Sequence, residues 1–177
     1  MKISQPHKPR GRKRKLQPTD YCERTYRSRV GIPGLRTFHI ASQETDLMIQ
    51  SDRQLENEAY EQVLACRAHI EGYIQRHPAF ATTLLPWGDN TLAPPIVRQM
   101  IRAGQAAGVG PMASVAGAIA ESVARHLLTR CRQVVVENGG DIFMKTDTHV
   151  VARLFAGHSP LSMNVGIKLA PAEKGLG

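Results

Sequence analysis

The sequence predicts an α+β fold in which antiparallel strands flank a central group of three helices. Changes of period along the chain carry that expectation. Short stretches with alternating apolar residues lie near both ends of the 177 residues, and three stretches between them repeat apolar residues every three or four positions. Hydrophobic residues make up 42% of the chain, enough for the core of one domain.

The elements follow in order. Arg24–Val30 alternates loosely, and Gly31-Ile32-Pro33-Gly34 is a strong turn. Leu35–Ala41 carries Phe38 and Ile40 on one parity, and Thr45–Gln50 carries Leu47 and Ile49 likewise. Ser51 or Asp52 can cap a first helix beginning near Arg53. Its stripe is Leu55, Ala59, Val63, Ile70 and Ile74, joined by Tyr60, Leu64 and Tyr73. His77-Pro78 ends it, because the residue before a proline disfavours the α region. Residues 78–93 form a connection holding the single tryptophan, Trp87, which reads as a small satellite cluster under the loop. A second helix spans Pro94 to Ala107, and Gly108-Val109-Gly110 stops it. A third runs from Pro111 to about Thr129, with the strongest helical period in the chain. Its small residues Ala113, Gly117, Ala118 and Ala124 would let another backbone approach closely, and a homo-oligomer is among the expected assemblies. Strands then return at Gln133–Glu137, Ile142–Lys145, His149–Phe155 and Ser162–Leu169.

Charge is distributed unevenly. The formal net charge is +8, from 23 Lys and Arg against 15 Asp and Glu. Lys2, Lys8, Arg10, Arg12, Lys13, Arg14 and Lys15 crowd the first fifteen residues, and the remainder is close to neutral. Residues 1–20 therefore read as a disordered basic tail. Such a tail could engage a phosphate backbone or an acidic partner without sequence preference. No helix-turn-helix, RRM or KH signature accompanies it. The alternative function is thus a non-catalytic interaction domain whose tail binds nucleic acid or an acidic protein. Cys22, Cys66 and Cys131 lie far apart, which argues against a disulfide framework and a zinc knuckle. Reduced thiols in a cytoplasmic protein are expected. No apolar run reaches the roughly 18 residues that span a bilayer, so no membrane partner is expected.

Two strings could carry chemistry. Gly108-Val109-Gly110-Pro111-Met112-Ala113 opens the third helix, where free amides and the helix dipole favour a phosphate. A dinucleotide fingerprint follows a strand, and this one follows a helix. It reads either as a ligand-free helix–helix turn or as a phosphate site of another fold. The second string is Val134-Val135-Val136-Glu137-Asn138-Gly139-Gly140-Asp141-Ile142. A plain hairpin covers its turn, since Asn-Gly and Gly-Gly reach positive φ cheaply. The same glycines would let a ligand touch the backbone, and Asn138 and Asp141 offer directional hydrogen bonds. Elsewhere, Glu121 and Arg125 read as a solvated i, i+4 pair, and His126 as structural. His39 and His69 read as surface residues. His158-Ser159 has no acidic neighbour in the sequence to complete a triad. Glu44-Thr45-Asp46 reads as local turn or edge chemistry, with a polar ligand contact as the other reading.

A small-residue helix, an arginine-bearing turn and the Val-Val-Val-Glu-Asn-Gly-Gly-Asp-Ile unit together resemble the ApbE family of flavin transferases. The similarity is greatest to an ApbE-like branch of that superfamily. Segments similar to Glu44–Leu47, Gly110–Glu121 and Ala156–Ser162 recur there in this order. The resemblance covers about residues 23–177 and implies an ApbE-like, T-fold-related domain over 21–177. It implies FAD or FMN held against Asn138, Gly139, Gly140 and Asp141, with Gly110, Met112, Ala113 and Ser114 at the adjacent helix start. The transferases move FMN from FAD onto a Ser or Thr of an acceptor protein, using Mg²⁺. Their Lys-Gly-aromatic string is replaced here by Pro111-Met112-Ala113, and their Ala-Asp-Ala-x-x-Thr-type metal motif would lie beyond Gly177. The expectation is a chain cut before its catalytic half, or one lacking the activity, with no catalytic residue and no metal ligand assigned and Mg²⁺ only in a continuation.

Overall fold

The computed structural model describes residues 32–157 and 159–177. The basic tail, the strand expected at Arg24–Val30, Cys22 and His158 lie outside the described residues.

Four strands form one antiparallel sheet in the order β1 (Arg36–Ser42), β2 (Thr45–Ser51), β3 (Val134–Asn138) and β4 (Asp141–Lys145). Between the adjacent strands β2 and β3 the chain makes its whole helical excursion. That excursion holds α1 (Glu56–Arg76), α2 (Pro95–Ala107) and α3 (Val115–Leu127). Strands that flank the helices in sequence therefore join into a single sheet in space. The register sets Phe38 opposite Ile49, Ile49 opposite Val136, and Val136 opposite Phe143. These side chains share one face, are buried, and meet α1 and α3. Alternation along each strand gives that face its apolar row. Helix α2 packs behind, against α1 and α3. Each fully buried Leu, Ile or Val of this core contributes roughly 1.5–3 kcal/mol. A separate two-stranded ribbon, β5 (Val150–Arg153) with β6 (Gly166–Leu169), is mostly exposed.

Several expectations shift. Asp52 does not cap α1, which starts after Leu55 with no side-chain cap. Its carboxylate instead accepts from the amides of Arg132 and Gln133, tying the end of β2 to the entry of β3. Tyr60 and Leu64 face solvent, each 44% exposed, and Cys66 takes a place in the core. Trp87 is no satellite: it packs edge-on against Phe80 and donates its indole N–H to the Tyr73 hydroxyl. The third helix is preceded by a 3-10 turn over Pro111–Ser114, because Pro111 has no N–H and tightens the entry. The expected strand at Ser162–Leu169 is reduced to β6, since Met163 adopts φ +62° and breaks the extended run.

Candidate functional site

The sheet becomes polar at one end. Thr45, Asn138 and Asp141 lie on its helix-facing side, with Asn138 paired in register to Asp141. The N-terminal end of α3 sits over this end. Asn138 Nδ2 donates to the Ala116 carbonyl at 3.0 Å. Gly117 is placed so that a Cβ on it would meet the Asp141 carboxylate at 3.7 Å, an ordinary contact. The small residues of α3 thus receive the β3–β4 hairpin of the same chain.

The hairpin between Asn138 and Asp141 is a two-residue turn with φ +64° at Gly139 and +110° at Gly140. A turn with two positive φ angles matches the twist of the flanking strands. The amide of Gly140 donates to Glu137 Oε1 at 2.8 Å, so Glu137 secures the turn from below. At the 3-10 turn, the Ala113 amide donates to the Gly110 carbonyl and the Ser114 hydroxyl to the Pro111 carbonyl. These donors serve the local fold.

The α3 entry divides the space above the polar edge into two clefts. One, of about 350 Å³, lies on the α1 side and is lined by Met112, Val115, Ile70, Thr45, Arg67 and Asn138 among others. The other, of about 300 Å³, lies on the β4 side and includes Ala113, Ser114, Gly117, Gln99, Glu121 and Asp141. The expected site residues are therefore split: Asn138 and Met112 line the first cleft, Asp141, Ala113 and Ser114 the second. Gly139 and Gly140 form the exposed hairpin tip. Gly110 lines neither cleft. A Cβ there would fall 1.9 Å from the Thr83 carbonyl oxygen, so packing against the 83–84 backbone requires glycine.

Arg67, which sequence reading passed over, is the central polar group of the first cleft. Its side chain is 13% exposed. The guanidinium reaches Thr45 Oγ1 at 3.0 Å, Gln43 Oε1 at 2.6 Å, Glu44 Oε2 at 2.8 Å and Glu71 Oε1 at 2.8 Å. Gln43 is held at φ +52°, a conformation that non-glycine residues seldom adopt. The signal for Arg67 was its position between Val63 and Ile70, on the edge of the apolar stripe of α1. Glu44 is held below the ordinary value of 4.5, first by a backbone hydrogen bond and then by Arg67. In the second cleft, Glu121 bonds both Arg125 and Gln99. Arg125 also lies 5.1 Å from the centre of the Phe143 ring. The solvated pair expected there is thus part of a network between α2, α3 and β4. Among the described residues no group of three or more His, Cys, Asp or Glu comes together as a metal site.

An antiparallel sheet with three helices on one face and two clefts at a Gly-Gly hairpin defines the class as an α+β domain with a ligand-sized recess. Residues 29–177 match the family model described as AbpE bacteria, and the chain belongs to that family. It is similar to UPF0280 proteins of archaea. That of Methanococcus aeolicus is 42% identical over 135 residues, covering 76% of this chain and 54% of the relative. That of Methanocaldococcus jannaschii is 40% identical over 131 residues, covering 73% and 53%. That of Methanosarcina acetivorans is 36% identical over 137 residues, covering 76% and 54%. The chain spans about half the length of these relatives. Among the described residues no single helix is long and apolar enough to cross a membrane.

Proposed function

We propose that this chain forms the flavin-nucleotide-binding part of an ApbE-like, T-fold-related protein, with the α1-side cleft as the site. One observation carries the reading: a recess of about 350 Å³ combines an apolar floor with the convergent polar groups Arg67, Thr45 and Asn138. Small-molecule sites have this size and this mixture. A flavin ring is flat and apolar on its faces and hydrogen-bonding at its edge. Met112, Val115 and Ile70 suit the faces, while Asn138, already oriented by the Ala116 carbonyl, suits the edge. Arg67 would supply positive charge to a phosphate, in competition with Glu44 and Glu71. The flavin would bring redox or phosphoryl chemistry; these residues bind and orient it. Among the described residues no three His, Cys, Asp or Glu side chains converge to hold a magnesium ion by themselves.

FMN and FAD titrations of the full chain, followed by flavin fluorescence, test the proposal. Saturable quenching is expected, weakened about tenfold by Met112→Glu, which sets a charge in the floor. A flat titration to millimolar FAD, with and without Mg²⁺, overturns the flavin reading.

A further inference from the structure

A third recess, of about 160 Å³, lies on a different face of α2 and is separate from both clefts. It is lined by Asp89, Asn90, Thr91, Arg98, Ile101 and Arg102. Arg98 and Arg102 stand one helical turn apart and both line this recess. Neither has an acidic partner among the described residues, although Arg67, Arg125, Arg130 and Arg132 all do. The Nε of Arg98 is buried and meets no acceptor among the described residues. A buried donor without an acceptor is costly.

The wall opposite the arginines is built rather than loose. Asn90 donates to the Tyr73 hydroxyl and accepts from the Leu92 amide. Gln105, one turn beyond Ile101, donates to the Trp87 carbonyl and to Asp89 Oδ1. These bonds pin the 87–92 connection to α1 and α2, so the recess keeps its shape. The Thr91 hydroxyl remains to donate at the rim. Asp89 opposes an anion, and its charge leaves the lining with one net positive.

We propose that Arg98, Arg102 and Thr91 form a binding site for a phosphate group, as inorganic phosphate or the phosphate end of a monoester. Paired guanidinium groups match a tetrahedral oxyanion through charge-assisted, forked hydrogen bonds. A recess of this size holds the phosphate group and little beyond it. The site does not rest on the flavin reading, since no residue is shared with the α1-side cleft.

Trp87 is the single tryptophan and lies two residues from Asp89, so its fluorescence reports on the recess. The full chain is titrated with inorganic phosphate, against sodium chloride at matched ionic strength, and separately with glycerol phosphate. Saturable change with phosphate and not with chloride is expected. Arg102→Gln, at an exposed position, weakens it about tenfold, and Asp89→Asn tightens it several-fold by removing the opposing charge. Arg132→Gln, an equal loss of charge elsewhere, leaves affinity unchanged, and the basic tail is present in every variant. Glycerol phosphate binding as tightly as phosphate identifies monoesters as ligands; its failure restricts the site to the free ion. A response to phosphate no larger than to chloride overturns the proposal. So does equal weakening by Arg102→Gln and Arg132→Gln, or an unchanged affinity in Asp89→Asn.

Discussion

Gly110 carries a packing duty that its neighbours in sequence do not show. In the string Gly108–Ala113 it looks like a ligand contact, whereas the Thr83 carbonyl occupies the place of its Cβ. Gly110→Ala must displace backbone and is expected to cost about 3 kcal/mol or more, at the upper end of overpacking effects. Urea unfolding at unchanged m-value measures it. Asn138, expected to offer directional hydrogen bonds to a ligand, donates from Nδ2 to a partner in the helix above. Asn138→Asp sets a carboxylate oxygen against the Ala116 carbonyl and is expected to lower stability by about 1–3 kcal/mol. Cys131 belongs to the same scale. Burial, and then the negative charge of Asp52, push its thiol from 9.0 up to about 11. A raised value means that the folded state holds its proton longer than the unfolded chain. The contribution is complete below pH 9 and is lost as pH rises toward 11. Denaturant midpoints measured from pH 8 to 11 are expected to fall less steeply in Cys131→Ala.

At the level of elements, the β1–β2 hairpin depends on α1. Arg67 reaches across to Gln43, Glu44 and Thr45, holding a turn whose first residue has positive φ. Glu44 has a lowered value, so its contribution is present above pH 4.5 and fades as pH falls through the folded value. Acid unfolding between pH 5 and 3 is expected to begin earlier in the wild type than in Glu44→Gln, measured relative to each protein's stability at neutral pH. Helix α3 depends on its apolar stripe. Leu127 is fully buried at its last turn, and Leu127→Ala is expected to cost about 2–5 kcal/mol by thermal or urea unfolding. The i, i+4 spacing of Glu121 and Arg125 is borne out as a solvent-facing pair, with Arg125 54% exposed. Spacing does not show that Glu121 also takes Gln99 of α2 or that Arg125 lies beside Phe143.

Across the whole molecule, stability is not uniform. The four-stranded sheet and α1–α3 share one core, whereas among the described residues β5–β6 pairs only with itself and leaves Val151 and Ile167 50% and 69% exposed. Two-stranded ribbons are marginal alone. Hydrogen exchange is expected to protect the amides of β2 and β3 about a hundredfold or more over those of β5 and β6. Equal protection would show that the ribbon opens only with the core.

The α+β class, the helices, the strands β1–β4 and the Asn138–Asp141 turn were legible because each is set by a local pattern. Period 2 or 3.6, turn glycines and a helix-stopping proline act within a few residues of themselves. Two things were decided only by tertiary structure. The first is that strands before and after the helices join in one sheet, through β2–β3 pairing across more than eighty residues. The second is which side chains share a recess: Arg67 with Thr45 and Asn138, Arg98 with Arg102 and Thr91. A helix periodicity says which face is apolar, but not what stands opposite a charged residue at its edge. That depends on how separate elements pack, and packing joins residues that no local pattern connects.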